Sequence, residues 1–220
     1  MKISYGTLML VLPMLLAAQQ SPVPVEDEPH HHLVLKNDSV IVLRVKLAPG
    51  ESTLFHTHLH DRMAIYLSNT TVAIQKAGEP EAPPDAMKVG DVVSSESKGP
   101  YTHLVHNVGA VDFEVLDVEL LHRPTTPPGP AAAKVEAENP SARVYKWTLA
   151  PGTTSAMHTH ERPYLIISAT PLLLKMTDPE GKSMTHEVKP GDFHWIDAKV
   201  THSLSNEGTT VGEIVEIELK

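Results

Sequence analysis

Six histidines of this sequence form two sets of three with matching spacing: His56, His58 and His103, and His158, His160 and His202. In each set the first two histidines are one residue apart. On an extended strand, residues i and i+2 point to the same face about 6.5 to 7 Å apart, so such a pair can bind one ion. The third imidazole, from a distant strand, would complete a three-nitrogen metal site with positions left open for water or substrate. The alternative is that these histidines are hydrogen-bonded side chains of a site that holds no metal.

The composition restricts the chemistry of such a site. The chain contains 14 histidines and no cysteine, so any metal must be held by imidazole and carboxylate, and disulfides are excluded. We expect a divalent transition metal, namely iron, manganese, nickel, copper or zinc. Three neutral imidazoles leave the double charge of the ion intact, which favours a small anionic ligand or substrate. The formal net charge of −9 disfavours nucleic acid as a partner.

A repeat organises most of the chain. Leu47-Ala48-Pro49-Gly50 recurs 102 residues later as Leu149-Ala150-Pro151-Gly152, and the two histidine pairs have the same displacement. A period near 100 residues is too long for a solenoid unit, so it predicts two copies of one domain. We place the first domain at residues 23–122, a proline-rich linker at 123–134 and the second domain at 135–220.

Short segments with strand character fill both copies. Val40 to Leu47 is rich in branched residues, whereas Phe113 to Leu120 and Ile214 to Leu219 alternate acidic and apolar residues with period two. This alternation predicts strands with one wet face and one buried face. With Pro-Gly and Gly-Asp turns between the segments, the pattern indicates an all-β sandwich or barrel.

At these motifs the sequence resembles the cupins. Gly50 to His58 and Gly152 to His160 match the first cupin motif, G-x5-H-x-H, and His103-x3-Asn107 and His202-x3-Asn206 match the end of the second. The resemblance covers nearly everything after residue 30. It implies a bicupin, with two tandem cupin barrels of the double-stranded β-helix (jelly-roll) type, each holding a metal ion on its three histidines.

The chain departs from the cupin pattern at the fourth ligand. Cupins carry a glutamate four residues past the second histidine of the first motif. In the first copy Arg62 stands at that position. In the second copy the nearby Glu161 comes directly after His160 and should face away from the site. A site of three histidines is therefore expected in each copy. Arg62, which could pair with a substrate carboxylate, and Tyr164 are the candidate substrate-orienting residues, and the alternative for Arg62 is a solvent-facing position at the rim.

Three functions are compatible with these sites. The first is a metal-dependent enzyme of the dioxygenase type that acts on a small oxygen-rich or carboxylate-containing substrate. The second is an exported, non-catalytic binder of metal or small ligands, which the missing glutamates favour, and the third is a storage or scaffold protein. We expect a monomer or a homodimer.

The remaining histidines are weaker candidates. His60, His106 and His194 are expected to support a site or lie at the surface, and the sequence leaves open whether the run His30-His31-His32 contributes to the first site.

The N-terminus has the layout of a secretory signal peptide. Lys2 precedes an apolar stretch from Leu8 to Leu16 that ends in small residues, and this stretch is about half as long as a membrane span. We therefore predict a signal peptide at residues 1–20, a periplasmic or secreted product, and no stable membrane span after cleavage. A short membrane anchor or a buried helix is the alternative.

Overall fold

The computed structural model describes residues 21–125, 129–197 and 199–220. The described residues form 19 strands and one short 3₁₀ helix, Val25–Asp27. The predicted signal peptide lies outside this part of the chain. Among the described residues, no helix has the length and apolar character needed to cross a membrane.

The first half of the chain forms two five-stranded sheets, with strand orders β1-β4-β9-β6-β7 and β2-β3-β10-β5-β8. These sheets face each other and enclose a core, and we call them the first barrel. Its strands are β1 Val23–Pro24, β2 His31–Lys36, β3 Val40–Leu47, β4 His56–His58, β5 Asp61–Tyr66, β6 Thr70–Lys76, β7 Asp85–Met87, β8 Val92–Ser95, β9 Tyr101–Asn107 and β10 Phe113–Leu120.

Among the described residues, the second half repeats this arrangement without a counterpart of β1, with sheets of order β11-β12-β19-β14-β17 and β13-β18-β15-β16, and we call it the second barrel. Its strands are β11 Ala137–Glu138, β12 Ala142–Leu149, β13 His158–His160, β14 Tyr164–Ser168, β15 Leu172–Thr177, β16 Ser183–Val188, β17 Phe193–Ile196, β18 Val200–Asn206 and β19 Gly212–Leu219. The predicted fold class, two tandem all-β cupin barrels in one chain, is thus confirmed. The domain limits at 122 and 134 stay predictions.

The two barrels pack against each other through an apolar layer. This layer combines side chains from β3, β5 and β10 with side chains from β12, β14 and β19, which are the equivalent strands of the two halves. Fully burying a side chain of this size stabilises a protein by about 1.5 to 3 kcal/mol. The layer includes Val42, Met63 and Val118 of the first barrel and Val144, Leu165 and Ile217 of the second.

The orientation of the last strand of each barrel corrects one prediction. The acidic residues of β10 and β19 were expected on a wet face, but Asp117, Glu119, Glu216 and Glu218 are buried. They point into the barrel interiors, because the alternate positions, which are apolar, are used in the layer between the barrels. Each barrel therefore contains two buried carboxylates beside its histidines.

The asparagine of the second motif has a structural role in both barrels. Asn107 donates from its side-chain nitrogen to the carbonyl oxygens of Leu47 and Val111, at 3.0 and 2.8 Å. Asn206 donates in the same way to Leu149 and Thr210, at 2.9 and 2.7 Å. These bonds connect the end of the strand that carries the third histidine to the end of a strand in the other sheet and to the loop that follows.

Candidate metal centre

Three strands of the second barrel bring four candidate ligands together. His158 and His160 lie on β13, and His158 pairs in register with His202 on β18. Glu216 reaches the same point from β19, in the other sheet of the barrel. All four are buried, with His160 and Glu216 completely so. We call this group the second cluster.

The atoms of the second cluster converge on one position. One carboxylate oxygen of Glu216, Oε2, lies 3.1 Å from Nε2 of His158 and 3.3 Å from Nε2 of His160, and the other, Oε1, lies 3.1 Å from Nε2 of His202. The ligand atoms are all within 4.8 Å of one another. Three nitrogens and one oxygen at such distances can hold a divalent transition metal ion.

Several of these atoms are left without a hydrogen bond although they are buried. Within the described part of the chain, Nε2 of His160, Nε2 of His202 and Oε1 of Glu216 have no hydrogen-bond partner. Burying such atoms unpaired costs free energy, and a metal ion would satisfy all of them at once. The second cluster therefore fits a metal ion better than it fits a network of hydrogen bonds.

Surrounding groups orient the candidate ligands. Nδ1 of His158 lies 2.9 Å from the carbonyl oxygen of Ala156, so it can donate there and leave Nε2 free to bind an ion. Trp147 donates from Nε1 to Oε2 of Glu216 at 2.6 Å, and its indole stacks on the ring of His158. Nδ1 of His160 faces Oε1 of Glu218 at 3.6 Å.

The charges of the second cluster are strongly coupled. Burial raises the pKa of Glu216, but its contacts with His158, His160 and His202 outweigh burial and hold that pKa well below the ordinary value. Burial lowers the pKa of His160, but the carboxylates of Glu216 and Glu218 outweigh it and raise the pKa to about 9. When no ion is bound, a proton on His160 thus balances part of the buried negative charge.

The first barrel brings its three predicted histidines together in the same way. His56 and His58 lie on β4, and His56 pairs in register with His103 on β9. These three residues, which we call the first cluster, also have candidate ligand atoms within 4.8 Å of one another. Nε2 of His58 lies 2.9 Å from Nε2 of His103.

The carboxylates of the first barrel are arranged differently. Asp117 stands at the position equivalent to Glu216, but its side chain is shorter, and it faces Nδ1 of His58 at 3.7 Å. Glu119 lies 2.7 Å from the same nitrogen. Neither carboxylate joins the three histidines as a fourth ligand, whereas His58, Asp117 and Glu119 form a separate group.

The first cluster consists of weakly basic histidines. Burial lowers the pKa of His56 to about 3, with a further contribution from His31, and burial lowers the pKa of His58 to about 4. The pKa of His103 is lowered further, first by burial and then by His56. Burial and the charge of Asp117 raise the pKa of Glu119 to about 8. Three neutral imidazoles can accept an ion, but the four-ligand set of the second barrel is not reproduced here.

The two predicted substrate-orienting residues lie beside the clusters. The Arg62 side chain is 14% exposed, and its Nη1 lies 3.5 Å from Oδ2 of Asp117. Tyr164 is completely buried and stacks on His160 with ring centres 3.9 Å apart. Its hydroxyl has no hydrogen-bond partner among the described residues, and burial raises its pKa.

The remaining histidines differ in their relation to the clusters. His31 is buried, and its ring centre lies 4.5 Å from that of His56, so one residue of the histidine run does approach the first cluster. Its Nδ1 lies 2.5 Å from Oε2 of Glu28. His60 is half-buried and lines a cavity, His194 is exposed, and His106 faces Glu81.

Sequence reasoning missed the carboxylates. It predicted three-histidine sites, and in the second barrel the structure adds Glu216 to the three predicted histidines as a candidate fourth ligand. The fourth ligand was expected shortly after the histidine pair in the sequence, whereas Glu216 lies on β19, the last strand of the barrel. The alternating acidic residues of β10 and β19 were the sequence feature that could have indicated these carboxylates. The alternation does not show which face of the strand is buried, because that depends on the packing of the two barrels.

Each barrel contains a cavity; that of the first barrel is bordered by a residue of its cluster, whereas that of the second is bordered by none of the four candidate ligands. The first barrel's cavity, about 600 Å³, is bordered by His58, Arg62 and Tyr101. The cavity of the second barrel, about 560 Å³, is mostly apolar. Its lining includes Ile166, Val200 and Ile214. Each of these lies on the same strand as a residue of the site and two positions from it: Ile166 from Tyr164, Val200 from His202 and Ile214 from Glu216.

The fold and the buried histidine groups define a two-barrel protein of the cupin fold with a candidate metal centre. Among solved structures, the chain is similar to AerE from Microcystis aeruginosa, with a TM-score of 0.62, 14% identity, and coverage of 90% of this chain and 98% of that one. It is also similar to YhaK from Escherichia coli, with a TM-score of 0.59, 12% identity, and coverage of 92% and 99%.

A third similar structure is a salicylate 1,2-dioxygenase from Pseudaminobacter salicylatoxidans, with a TM-score of 0.55, 14% identity, and coverage of 84% of this chain and 76% of that one. At these identities the similarity establishes the fold alone. No protein-family model and no curated protein sequence matches the chain.

Proposed function

We propose that this protein is a metal-dependent enzyme of the dioxygenase type that acts on a small oxygen-rich or carboxylate-containing molecule. The ion is held in the second barrel by His158, His160, His202 and Glu216. The observation that carries the proposal is the convergence of four buried ligand atoms, several of them without any other partner. This ligand set suits iron, manganese, nickel, copper or zinc.

A bound redox-active ion supplies the oxygen chemistry, and the protein supplies the environment. Trp147 holds Glu216 in position through its hydrogen bond, and Glu218 faces the outer nitrogen of His160. The apolar cavity, whose border begins two positions along the strands from Tyr164, His202 and Glu216, accommodates the apolar part of a small substrate. We assign the role of orienting a substrate oxygen to the Tyr164 hydroxyl, which is buried beside His160 and has no partner among the described residues.

A salicylate 1,2-dioxygenase shares the fold, and a mutant of it has been solved in complex with gentisate. Oxygen chemistry on a small aromatic acid is therefore the first activity to test, and the substrate class itself is argued from the chemistry of the site.

A non-catalytic metal binder is the second candidate. It is favoured by the burial of the second cluster, in which His158, the most exposed member, is only 5% exposed. An ion enclosed in this way could stabilise the barrel without ever meeting a substrate.

Metal analysis and oxygen uptake separate these two functions. We expect purified protein to retain a transition metal and Glu216→Gln to lose most of it, while Glu207→Gln, which removes a partly exposed carboxylate outside the cluster, retains it. The loaded protein should then consume oxygen with a member of a panel of salicylate, gentisate, catechols, flavonols and diketones. Full metal loading without oxygen uptake would favour the binder, and failure to bind any metal would exclude both functions.

Export belongs to the proposal as well. The support is the N-terminal sequence, with its early lysine, apolar stretch and small residues. Expression in a bacterial host, followed by N-terminal sequencing of the mature protein, should find a start near residue 20 in the periplasmic fraction. An uncleaved protein in the cytoplasmic fraction would contradict it.

A further inference from the structure

The two barrels differ at one pair of equivalent positions next to their clusters. Arg62 on β5 pairs in register with Glu119, and Tyr164 on β14 pairs in register with Glu218, which is the equivalent glutamate. The first barrel thus has a cation where the second has a neutral phenol. Because the surrounding strands are the same in both barrels, this difference changes the charge of the site while the backbone arrangement is kept.

The guanidinium of Arg62 lies inside the first barrel. Its Nη1 is 3.5 Å from Oδ2 of Asp117, and its Cζ is 5.7 Å from the ring centre of Tyr101. Asp117, the counterpart of Glu216, is therefore already neutralised by a cation that belongs to the protein. A divalent ion at the first cluster would be repelled by that cation.

Arg62 also keeps free hydrogen-bond donors. Its side chain makes no aligned hydrogen bond to any residue in the described ranges, and it borders the cavity of about 600 Å³. The cavity lining carries two further cations, Lys76 and Lys98, against one carboxylate, Glu96. This cavity is therefore cationic, whereas that of the second barrel is mostly apolar.

We propose that the first barrel binds a small organic carboxylate directly on Arg62 without a metal ion, while the second barrel holds the ion. A planar guanidinium can donate two parallel hydrogen bonds to a carboxylate, and partial burial strengthens this contact. Lys76 and Lys98 attract the anion to the cavity. The carboxylate site involves the first barrel alone. The second part of the proposal, that the ion is in the second barrel and not in the first, rests on the proposed function.

The carboxylate site is tested with benzoate as the probe and chelator-treated protein. We expect saturable binding by calorimetry, a loss of at least about tenfold in affinity for Arg62→Gln, and wild-type affinity for Arg162→Gln, which removes the same charge from an exposed position. Benzamide, the neutral analogue, should bind at least about tenfold more weakly than benzoate. Equal binding by Arg62→Gln, binding of benzoate only after metal loading, or no saturable binding in the millimolar range would overturn the proposal.

The location of the ion is tested by metal content per chain. We expect one ion in the wild type and in His58→Ala, and none in His160→Ala, with Glu216→Gln as the second variant if His160→Ala does not fold. If His58→Ala loses the ion and His160→Ala keeps it, the ion is in the first barrel. That result would overturn the placement of the ion in the second barrel but would leave a metal-dependent function in place. Absence of metal from every variant, together with benzoate binding that needs Arg62, would overturn the proposed function and leave the carboxylate site standing.

Discussion

The indole nitrogen of Trp147 donates a hydrogen bond of 2.6 Å to Oε2 of Glu216, the carboxylate that completes the candidate metal centre. The same indole stacks on His158, with ring centres 4.6 Å apart. One side chain from β12 thus orients two candidate ligands that come from two different sheets. In the first barrel the equivalent position is Val45, which has no hydrogen-bond donor in its side chain, and the equivalent carboxylate, Asp117, faces Arg62.

Trp147→Phe should weaken metal binding without removing the site. The phenyl ring retains part of the packing on His158 but cannot donate to Glu216, and loss of such a supporting bond typically costs about 10- to 100-fold in metal affinity. A competition titration with a chelator measures the change. The matched control is Trp195→Phe, because Trp195 donates to Asp197 outside the cluster, and it should keep wild-type affinity. Equal affinities for the two variants would contradict the role of Trp147.

Tyr164→Phe should retain the metal and leave the protein at least as stable. The substitution keeps the ring that stacks on His160 and removes a buried hydroxyl that has no partner among the described residues. Removing such a group is neutral or stabilises by up to about 1 kcal/mol. Metal content and the free energy of unfolding in urea are the measurements. A marked loss of metal would show that Tyr164 supports the ligands themselves instead of facing a substrate.

Stabilisation by metal should increase with pH. The folded-state pKa of His160, about 9, lies above the ordinary value of 6.5. The protonated form between Glu216 and Glu218 therefore stabilises the metal-free protein fully below pH 6.5, and this contribution is lost as the pH rises towards 9. A metal ion must displace the same proton, so its affinity rises over the same range.

The difference in melting temperature between metal-loaded and chelator-treated protein should thus widen between pH 6.5 and 9. In Glu218→Gln, which lacks one of the two carboxylates that raise the pKa of His160, the widening should level off at a lower pH. A difference that is constant across the range would contradict the protonation of His160.

Asp61→Asn should destabilise the protein substantially. The Asp61 carboxylate is buried and accepts hydrogen bonds from Ser141 Oγ at 2.6 Å, Ser97 N at 2.8 Å and Arg123 Nε at 3.0 Å, so it connects the two barrels. Loss of the charge should cost about 2 to 4 kcal/mol in the free energy of unfolding. Asp38→Asn, at an exposed position, is the control and should have little effect.

The effect of Asp61 should also depend on pH. Burial raises its pKa, but the bonds from Arg123, Ser141 and Ser97 outweigh burial and lower it below the ordinary value of 3.8. The stabilisation is therefore present above pH 3.8 and is lost as the pH falls through the lower folded-state value. Urea unfolding at neutral and acidic pH should show the wild type approaching Asp61→Asn only in acid. A gap between them that persists unchanged in acid would contradict this.

The sequence by itself determined the repeat, the all-β barrels and the two histidine trios. These features are local or periodic: a pair of histidines one residue apart shares a strand face, and a displacement near 100 residues reveals a second copy. The order of the motifs was sufficient to predict that His103 and His202 would meet the pairs, because each copy repeats the same layout.

Only the tertiary structure decided which carboxylates join the histidines. The alternation in β10 and β19 is compatible with an acidic face towards solvent or towards the barrel interior, and the packing of one barrel against the other selects the interior. Once both carboxylates point inward, the longer side chain of Glu216 reaches its three histidines, whereas the shorter Asp117 faces Arg62. Whether an acidic side chain of β10 or β19 contacts water, a histidine or an arginine depends on contacts between strands that are far apart in the sequence. No local sequence pattern encodes those contacts.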